Sequence, residues 1–577
     1  MRSTRRSGAP RPCYIQRTVR AAAATRTFLA IATLASPTFL LAACPPSSDC
    51  EVLLTCGPAN EGTGASTASS GGTGTTPDGD PCTTPNECTS GFCTDGLCCA
   101  SACDGTCEAC NVVDSEGTCT AHTVGTDPEM ECAPGSCDAS GACATGSHVW
   151  SFGLATGGDV SGTSLAVDST GSVLIAGTLF QGSIDFGDGA VTGGPTGFVA
   201  KYSASGTFLW KRLLTGTGGI SNLVMQVRTD GANDVYVSGW FETATLTIGS
   251  TTHTNASGLD LFLGKYTASG TPLWSKRFGN AGGSQRAPAF DVNAAGRIFL
   301  AGAFTGPLNL GGATFGSSPY LFAASYDGGG NHLWSKAVGA NSSSLDSQVG
   351  GGGIDGDGNT YLAGYFRVRA AFGGPVLDDP VETPAVGPLF LAKLVALNGN
   401  HGWSHAYGDD ALEGPFTADV RLDAGASGAC VAGRFLEDFD LGGGMLPLSG
   451  GAAFFAGFDL NGMHVWSRNT DAQVAGTAAH NDGTCAAVGT FSGAPDFGGG
   501  VLPTSGGSDL FAVKYAPGGA HLWSHKFGDA QNQPPFVHVA IAPDGSVALF
   551  GTNSDVSTID FGGGPIPDHF YVAKLEP

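Results

Sequence analysis

The chain has 577 residues, of which 92 are Gly and only 13 % are charged. That is about twice the usual Gly share and half the usual charge, so coiled coils and long surface helices are excluded; no Gly-X-Y period runs through it, which excludes collagen. The formal net charge is −24, and such a surface repels phosphate backbones and anionic headgroups, so nucleic acid is excluded as a partner.

Residues 1–43 carry seven Arg and no acid. Without them, 19 basic residues face 50 acidic ones. Residues 27–43 are apolar, with small or mildly polar interruptions, and lead into Leu41-Ala42-Ala43-Cys44. A basic start, an apolar middle and small residues before a cleavage point form a signal-peptide pattern. Leu-Ala-Ala-Cys resembles the lipobox of bacterial lipoproteins. The resemblance implies that 1–43 is removed and that Cys44 carries the acyl anchor. The chain is then expected to be lipid-anchored in the outer membrane or at the cell surface. An ordinary secretory signal and a retained anchor are the alternatives, and the run is short for a span and holds Pro37.

Residues 44–81 read as a flexible linker. Its 57–80 stretch has no hydrophobic period and spans roughly 27 Å. Cys50 and Cys56 bracket a short loop and are expected to pair with each other. Residues 82–146 form a second small module with twelve cysteines: Cys82, Cys88, Cys93, Cys98, Cys99, Cys103, Cys107, Cys110, Cys119, Cys132, Cys137 and Cys143. Few large apolar residues separate them, so an even count in an exported segment predicts a disulfide framework of open connectivity. The competing reading is zinc at Cys107-x-x-Cys110, which needs paired two-ligand clusters that this spacing lacks. The phrase CTTPNECTSGFCTDGLCC resembles dickkopf-type Cys-rich modules.

Residues 147–577 repeat. Trp150, Trp210, Trp274, Trp334, Trp403, Trp466 and Trp523 recur at intervals of 57 to 69 residues. The phrases FVAKYSASGTFLWKR, LFLGKYTASGTPLWSKRFG and LFAVKYAPGGAHLWSHKFG are versions of one text. Each unit reads as four strands punctuated by Gly, Asp and Asn turns. Seven such units predict an all-β, seven-bladed propeller with the Trp on the outermost strand. The first Trp phrase, 148–153, lacks a preceding third strand, and FYVAKL at 570–575 lacks a following fourth. The two are expected to pair antiparallel and close the ring. The repeat is similar to the bacterial SBBP β-propeller family, which implies the fold and no activity. Quinoprotein-like repeats also end in Gly-x-x-x-Trp, but they are shorter, and no carboxylate cluster for a quinone site is visible.

Several residues could carry chemistry. Asp168, Asp230, Asp291, Asp355, Asp423, Asp482 and Asp544 are expected to cap the first turn of their units. Asp355, Asp357 and Asn359 have a DxDxN spacing that suits calcium, without the distant Glu of a complete loop. His148, His332, His401, His464 and His521 stand two residues before a Trp, and basic residues stand two after it; these are expected to protect an exposed edge. Cys430 and Cys485 are offset by one residue in successive units and are expected to stay unpaired thiols. The inner strands read as Gly, Ala, Ser and Thr with few charges. The reading is a surface-anchored binding or structural scaffold, not an enzyme, without a cofactor beyond possible calcium. It is expected to act as a monomer with a protein or glycan ligand. A propeller enzyme acting on polysaccharide or peptidoglycan is the alternative.

Overall fold

The computed structural model describes residues 74–577 except 113–114, 123–131, 133–135, 138–141, 218–221, 257, 317–319, 339–347, 367–368, 379–386, 409–419, 449–450 and 555–556. Cys44, Cys50 and Cys56 lie outside the described residues. No helix among the described residues is long and apolar enough to cross a membrane.

The repeats fold into antiparallel sheets arranged as a propeller. Six are four-stranded; five of them keep sequence order from the inside outwards, and the sixth takes its outer strand from His148–Leu154. In chain order their first strands are Asn222–Thr229 (sheet 2), Ser284–Val292 (sheet 3), Gln348–Ile354 (sheet 4), Arg421–Ala424 (sheet 5), Gln473–Ala479 (sheet 6) and Val537–Ile541 (sheet 7). The expectation of seven four-stranded blades is thus corrected to six. The sheet that begins with Thr156–Val167 (sheet 1) is seven-stranded. Its 13-residue second strand, Val173–Asp185, runs on to pair with Ala190–Thr192. Its fourth strand, Phe208–Thr217, runs on to pair with the Thr245–Ile248 hairpin of the next unit.

An apolar cluster fills each gap between neighbouring sheets. Phe198 and Tyr202 of sheet 1 meet Phe550 and Phe570 of sheet 7, and Leu174 and Val199 meet Val237 and Phe262 of sheet 2. The remaining gaps are filled in the same way. Sheet 7 takes its outer strand from the start of the repeat region. His148–Leu154 pairs antiparallel with Phe570–Leu575, setting Val572 opposite Phe152 and Leu575 opposite His148.

Each outer-strand Trp latches onto the following sheet. Indole Nε1 donates to Ala204 O from Trp150, Ala268 O from Trp210, Gly328 O from Trp274, Ala396 O from Trp334 and Leu460 O from Trp403. The same ring covers a Gly of left-handed φ in that turn: Trp150 covers Gly206 (φ 79°) and Trp466 covers Gly519 (φ 81°). A Cβ at Gly519 would lie 2.3 Å from the Trp466 ring, so the Gly is needed for both space and φ. Trp523 covers Gly146 in the same manner.

In the Cys-rich segment, short strands such as Cys93–Thr94 and Leu97–Cys98 are held by six bridges. These are Cys82–Cys93, Cys88–Cys98, Cys99–Cys110, Cys103–Cys119, Cys107–Cys137 and Cys132–Cys143. The three thiol-containing groups that would otherwise suit a metal consist of these bridged sulfurs, with Glu108 in one of them. A seventh bridge, Cys430–Cys485, corrects the expectation of two free thiols. The cysteines lie on second strands of sheets 5 and 6. Adjacent sheets meet through opposite faces, so a one-residue offset brings the two side chains into the same gap.

Candidate functional site

The first strand of every sheet faces the central channel. Each ends in a turn whose opening N–H bonds the carbonyl across it, which gives a common register. The opening residues are Asp168, Asp230, Asn293, Asp355, Gly425, His480 and Ala542. In this register the seven Asp singled out by sequence separate into three groups. Asp168, Asp230 and Asp355 open their turns and accept from backbone N–H groups inside them. Asp482 and Asp544 stand at the third turn position. Asp291 and Asp423 are not turn residues: they stand two positions earlier, on the inner strands, and Asp423 lines the channel.

That difference exposes a polar cluster at the axis. A cavity of about 790 Å³ is lined by Gln226 and Arg228 of sheet 2, Arg286 of sheet 3, Arg421 and Asp423 of sheet 5, and His538 of sheet 7, with Trp240 beside them. Arg228 Nε donates to Asp291 Oδ1 at 3.2 Å. Asp291 Oδ2 accepts from Ile354 N at 3.0 Å, and Asp423 Oδ2 accepts from Ala479 N at 2.9 Å, so each carboxylate ties its strand to the next sheet. Burial pushes Asp291 up to about 7; Arg228 opposes the rise and Asp423 adds to it. Burial also raises Asp423, again against Arg228. Burial holds His538 down to about 4, helped by Arg421 and Arg228 and opposed by a hydrogen bond with the Gly162 backbone. The imidazole is therefore neutral at pH 7 and offers one donor and one acceptor.

Arg421 donates Nε to Ala475 O at 3.1 Å and Nη1 to Val420 O at 3.2 Å, which anchors the guanidinium at the wall. Arg286 is exposed, with its guanidinium 5.9 Å from the Trp240 ring centroid, and has no ion pair among the described residues. Gln226 Nε2 donates to Pro288 O, while its Oε1 is buried with no hydrogen-bond partner among the described residues. The expectation that the inner strands carry few charges is thus corrected. Because the polar residues sit in different units, they form no motif in sequence. Aligning the inner strands on their hydrogen-bonded turns places Gln226, Arg421 and His538 at one level, four residues before the turn.

The other candidates have structural partners. Asp355 accepts from Asn359 N at 2.8 Å and, through Oδ2, from Asn359 Nδ2 and Tyr361 Oη at 2.9 Å. Asn359 Oδ1 accepts from Ala396 N, and Asp357 is exposed. Groups of the chain thus already hold the Asp355 and Asn359 oxygens that the calcium spacing singled out. The five outer-strand His donate or accept at Ser151, Ser335, Ser404, Ser467 and Ser524 over 2.9–3.0 Å. Each ring lies against a Gly of its sheet's second-to-third-strand loop, as His464 lies on Gly443. Burial lowers His332, His464 and His521, the last to about 4. All five rings are packed against their sheets rather than held out as an edge guard, and in His332, His464 and His521 burial disfavours the charged form. The basic residues beyond the Trp reach the following sheet instead: Lys336 bonds Asn400 Oδ1 and Arg468 bonds Gly519 O.

No family model matches the chain, and no curated protein matches it. Among solved structures it is similar to quinohemoprotein alcohol dehydrogenase from Comamonas testosteroni, at 10 % identity and TM-score 0.35, over 74 % of this chain and 76 % of that one. A europium-containing methanol dehydrogenase is similar at 9 % identity and TM-score 0.31, over 71 % and 81 %. A calcium-binding protein, regucalcin, from Agrobacterium tumefaciens is similar at 12 % and 0.26, over 57 % and 81 %. Likeness this remote carries nothing about activity, and the fold rests on the sheets described above.

Proposed function

We propose that the chain is an exported, lipid-anchored binding scaffold that holds its ligand in the central channel and does no chemistry on it. In this reading the seven-stranded sheet serves as the seventh blade of an SBBP-type ring. The observation that carries the proposal is the cavity of about 790 Å³ at the axis, lined by polar side chains from several sheets. That volume lies within the usual range for small-molecule sites, and a few placed polar groups in such a cavity fix a ligand's orientation. The six bridges of the Cys-rich segment suit an oxidising compartment. Cys44 supplies the anchor in this proposal.

Two measurements test it. Cys44→Ser should release the protein from the membrane fraction and remove its acyl label; unchanged fractionation and labelling would refute the anchor. A glycan array and a pull-down with the whole chain should yield a ligand. Hydrogen exchange of that complex should protect the amides of Arg421–Ala424 and Val537–Ile541. Protection confined to outer strands such as Pro272–Phe278 would place binding on the rim and sink the channel reading.

A further inference from the structure

We infer that the Cys-rich segment is a redox-operated clasp of the ring: with its last two bridges formed it holds the strand that closes sheet 7, and their reduction releases that strand. The first support is a comparison among the outer strands. The residue before the Trp is apolar and 43 to 51 % exposed in five of them, as Val149, Leu209, Leu273, Leu333 and Val465, and it is Gly402 in sheet 4. In sheet 6 the same position holds Leu522, which is 3 % exposed. Leu522 and Trp523 share an apolar cluster with the fully buried Ala144. The Ser136–Cys137 strand also runs beside His521–Phe527. The Cys-rich segment is thus seated on sheet 6 just before the chain supplies the outer strand of sheet 7. The third and outer strands of sheet 7 come from places far apart in sequence, so the outer one is anchored from upstream. His525 Nε2 donates to Thr145 O at 2.7 Å, Thr145 Oγ1 donates to Glu576 Oε2 at 3.0 Å, and Glu576 N donates to Ser147 O at 2.8 Å.

The second support is what holds Ala144 in place. It belongs to a two-residue pairing of Ser136–Cys137 with Cys143–Ala144. The apolar cluster at that pairing consists, among the described residues, of Cys107, Cys132 and Cys137, with Cys143 half-buried beside them. Its core is therefore the bridges Cys107–Cys137 and Cys132–Cys143 themselves. So short a hairpin does not persist without such staples. The third support is access. Cys143 is half-buried, whereas Cys430 and Cys485 are 2 % and 4 % exposed. A thiolate must reach a sulfur to exchange with it, so a dithiol opens the clasp before it opens the bridge between sheets 5 and 6. Each bridge takes up two electrons and two protons from the dithiol, which leaves as a cyclic disulfide. The hairpin then comes apart, Ala144 leaves Leu522 and Trp523, and His148–Leu154 loses its upstream anchor. For an exported chain, closure of the ring thus follows oxidation.

Hydrogen exchange of the whole chain in detergent, followed through a dithiothreitol titration with mass mapping of alkylated thiols, tests this. Once Cys107, Cys132, Cys137 and Cys143 alkylate and Cys430 and Cys485 do not, the amides of His148–Leu154 and Phe570–Leu575 should exchange at least tenfold faster. Those of Pro272–Phe278, on the outer edge of sheet 2, should be unchanged. Ala144→Asp puts a charge under Leu522 with every bridge intact, and it should bring the same acceleration at His148–Leu154 without any reductant. Should Cys430 and Cys485 alkylate first, Ala144→Asp decides alone. Unchanged exchange at His148–Leu154 after the four thiols are alkylated would overturn the clasp. Equal acceleration in every sheet would overturn it too, since the bridges would then support the whole ring and not its closing strand.

Discussion

At the scale of single residues, the repeat carries a buried ion pair that some units keep, two lose as a whole and two rearrange. Lys201 Nζ lies 2.7 Å from Asp168 Oδ2, with both side chains at most 6 % exposed. Lys265 meets Asp230 and Asp234 in the same register. In sheet 3 the turn opens with Asn293 and the Lys position holds Ser325, which accepts from Arg297. In sheet 5 the two positions are Gly425 and Gly457. In sheets 3 and 5 acid and base are thus lost together, whereas sheets 6 and 7 keep Lys514 and Lys574 and carry their Asp at the third turn position, Lys574 lying 3.5 Å from Asp544 Oδ2. One buried charge left without its partner is costly. Lys201→Met should therefore cost about 3–5 kcal/mol in chemical denaturation. The double change Asp168→Asn, Lys201→Ser should recover most of that loss; a double variant no better than the single one would disprove the coupling.

The titrating groups oppose each other. Asp291 stands near 7 in the fold against 3.8 when free. Between those values the folded chain holds a proton that the unfolded chain has released, so this group makes stability fall as pH rises. His521 and His538 stand near 4 against 6.5. Between those values the unfolded chain holds the proton, so these groups make stability rise with pH. Asp291→Asn should therefore steepen the rise in Tm between about pH 4 and pH 7, and His538→Gln should flatten it. Superimposable Tm profiles for the three proteins would contradict both assignments.

At the scale of elements, the inner strand of sheet 4 shows why spacing decides sequence. Its run Gly350-Gly351-Gly352-Gly353 looks like a flexible turn, yet it is a strand. A Cβ on Gly351 would lie 2.4 Å from Leu422 N, and one on Gly353 2.6 Å from Ala424 N. Two inner strands approach here too closely for any side chain. Gly351→Ala should cost about 1–3 kcal/mol through overpacking, read as a lower urea midpoint with an unchanged slope. A wild-type midpoint would mean that the strands part freely.

The four-strand text, the outer Trp and the pairing of 148–154 with 570–575 were legible in sequence, because they repeat or complement one another. The polar channel was not. Arg228, Arg421 and His538 each occur once, in different units, and only the shared register of the turns brings them to one axis. The same limit hid the Cys430–Cys485 bridge. Period two places a side chain on a face of its own sheet, but not on the face that meets its neighbour.

At the scale of the molecule, stability is shared among the gaps between sheets. The Cys430–Cys485 bridge spans one such gap and joins residues 55 apart in sequence. Replacing both with Ser should lower stability by about 2–4 kcal/mol. The loss should appear as faster hydrogen exchange in sheets 5 and 6, with sheets 2 and 3 unchanged. Uniform acceleration would mean that the ring opens as one unit and the bridge has no local role.

The place where the ring joins itself has a topological consequence. In sheet 1 the third strand ends at Tyr202, and five residues, Ser203 to Thr207, lead to Phe208. Their frame is Ser203 N bonded to Thr207 O. In sheet 7 the corresponding bond runs from Glu576 N to Ser147 O at 2.8 Å. Glu576, Pro577, Thr145, Gly146 and Ser147 thus occupy the places of the same five-residue turn, supplied by two segments far apart in sequence. Thr145 and Gly146 belong to the propeller's turn as much as to the end of the Cys-rich segment. Joining Pro577 to Thr145 would heal the seam, and cutting instead at Ser205 would leave a circularly permuted ring with every strand pairing intact. The order of the chain is thus a separate property from the order of the sheets, and the Cys-rich segment could be carried from another turn without changing the channel.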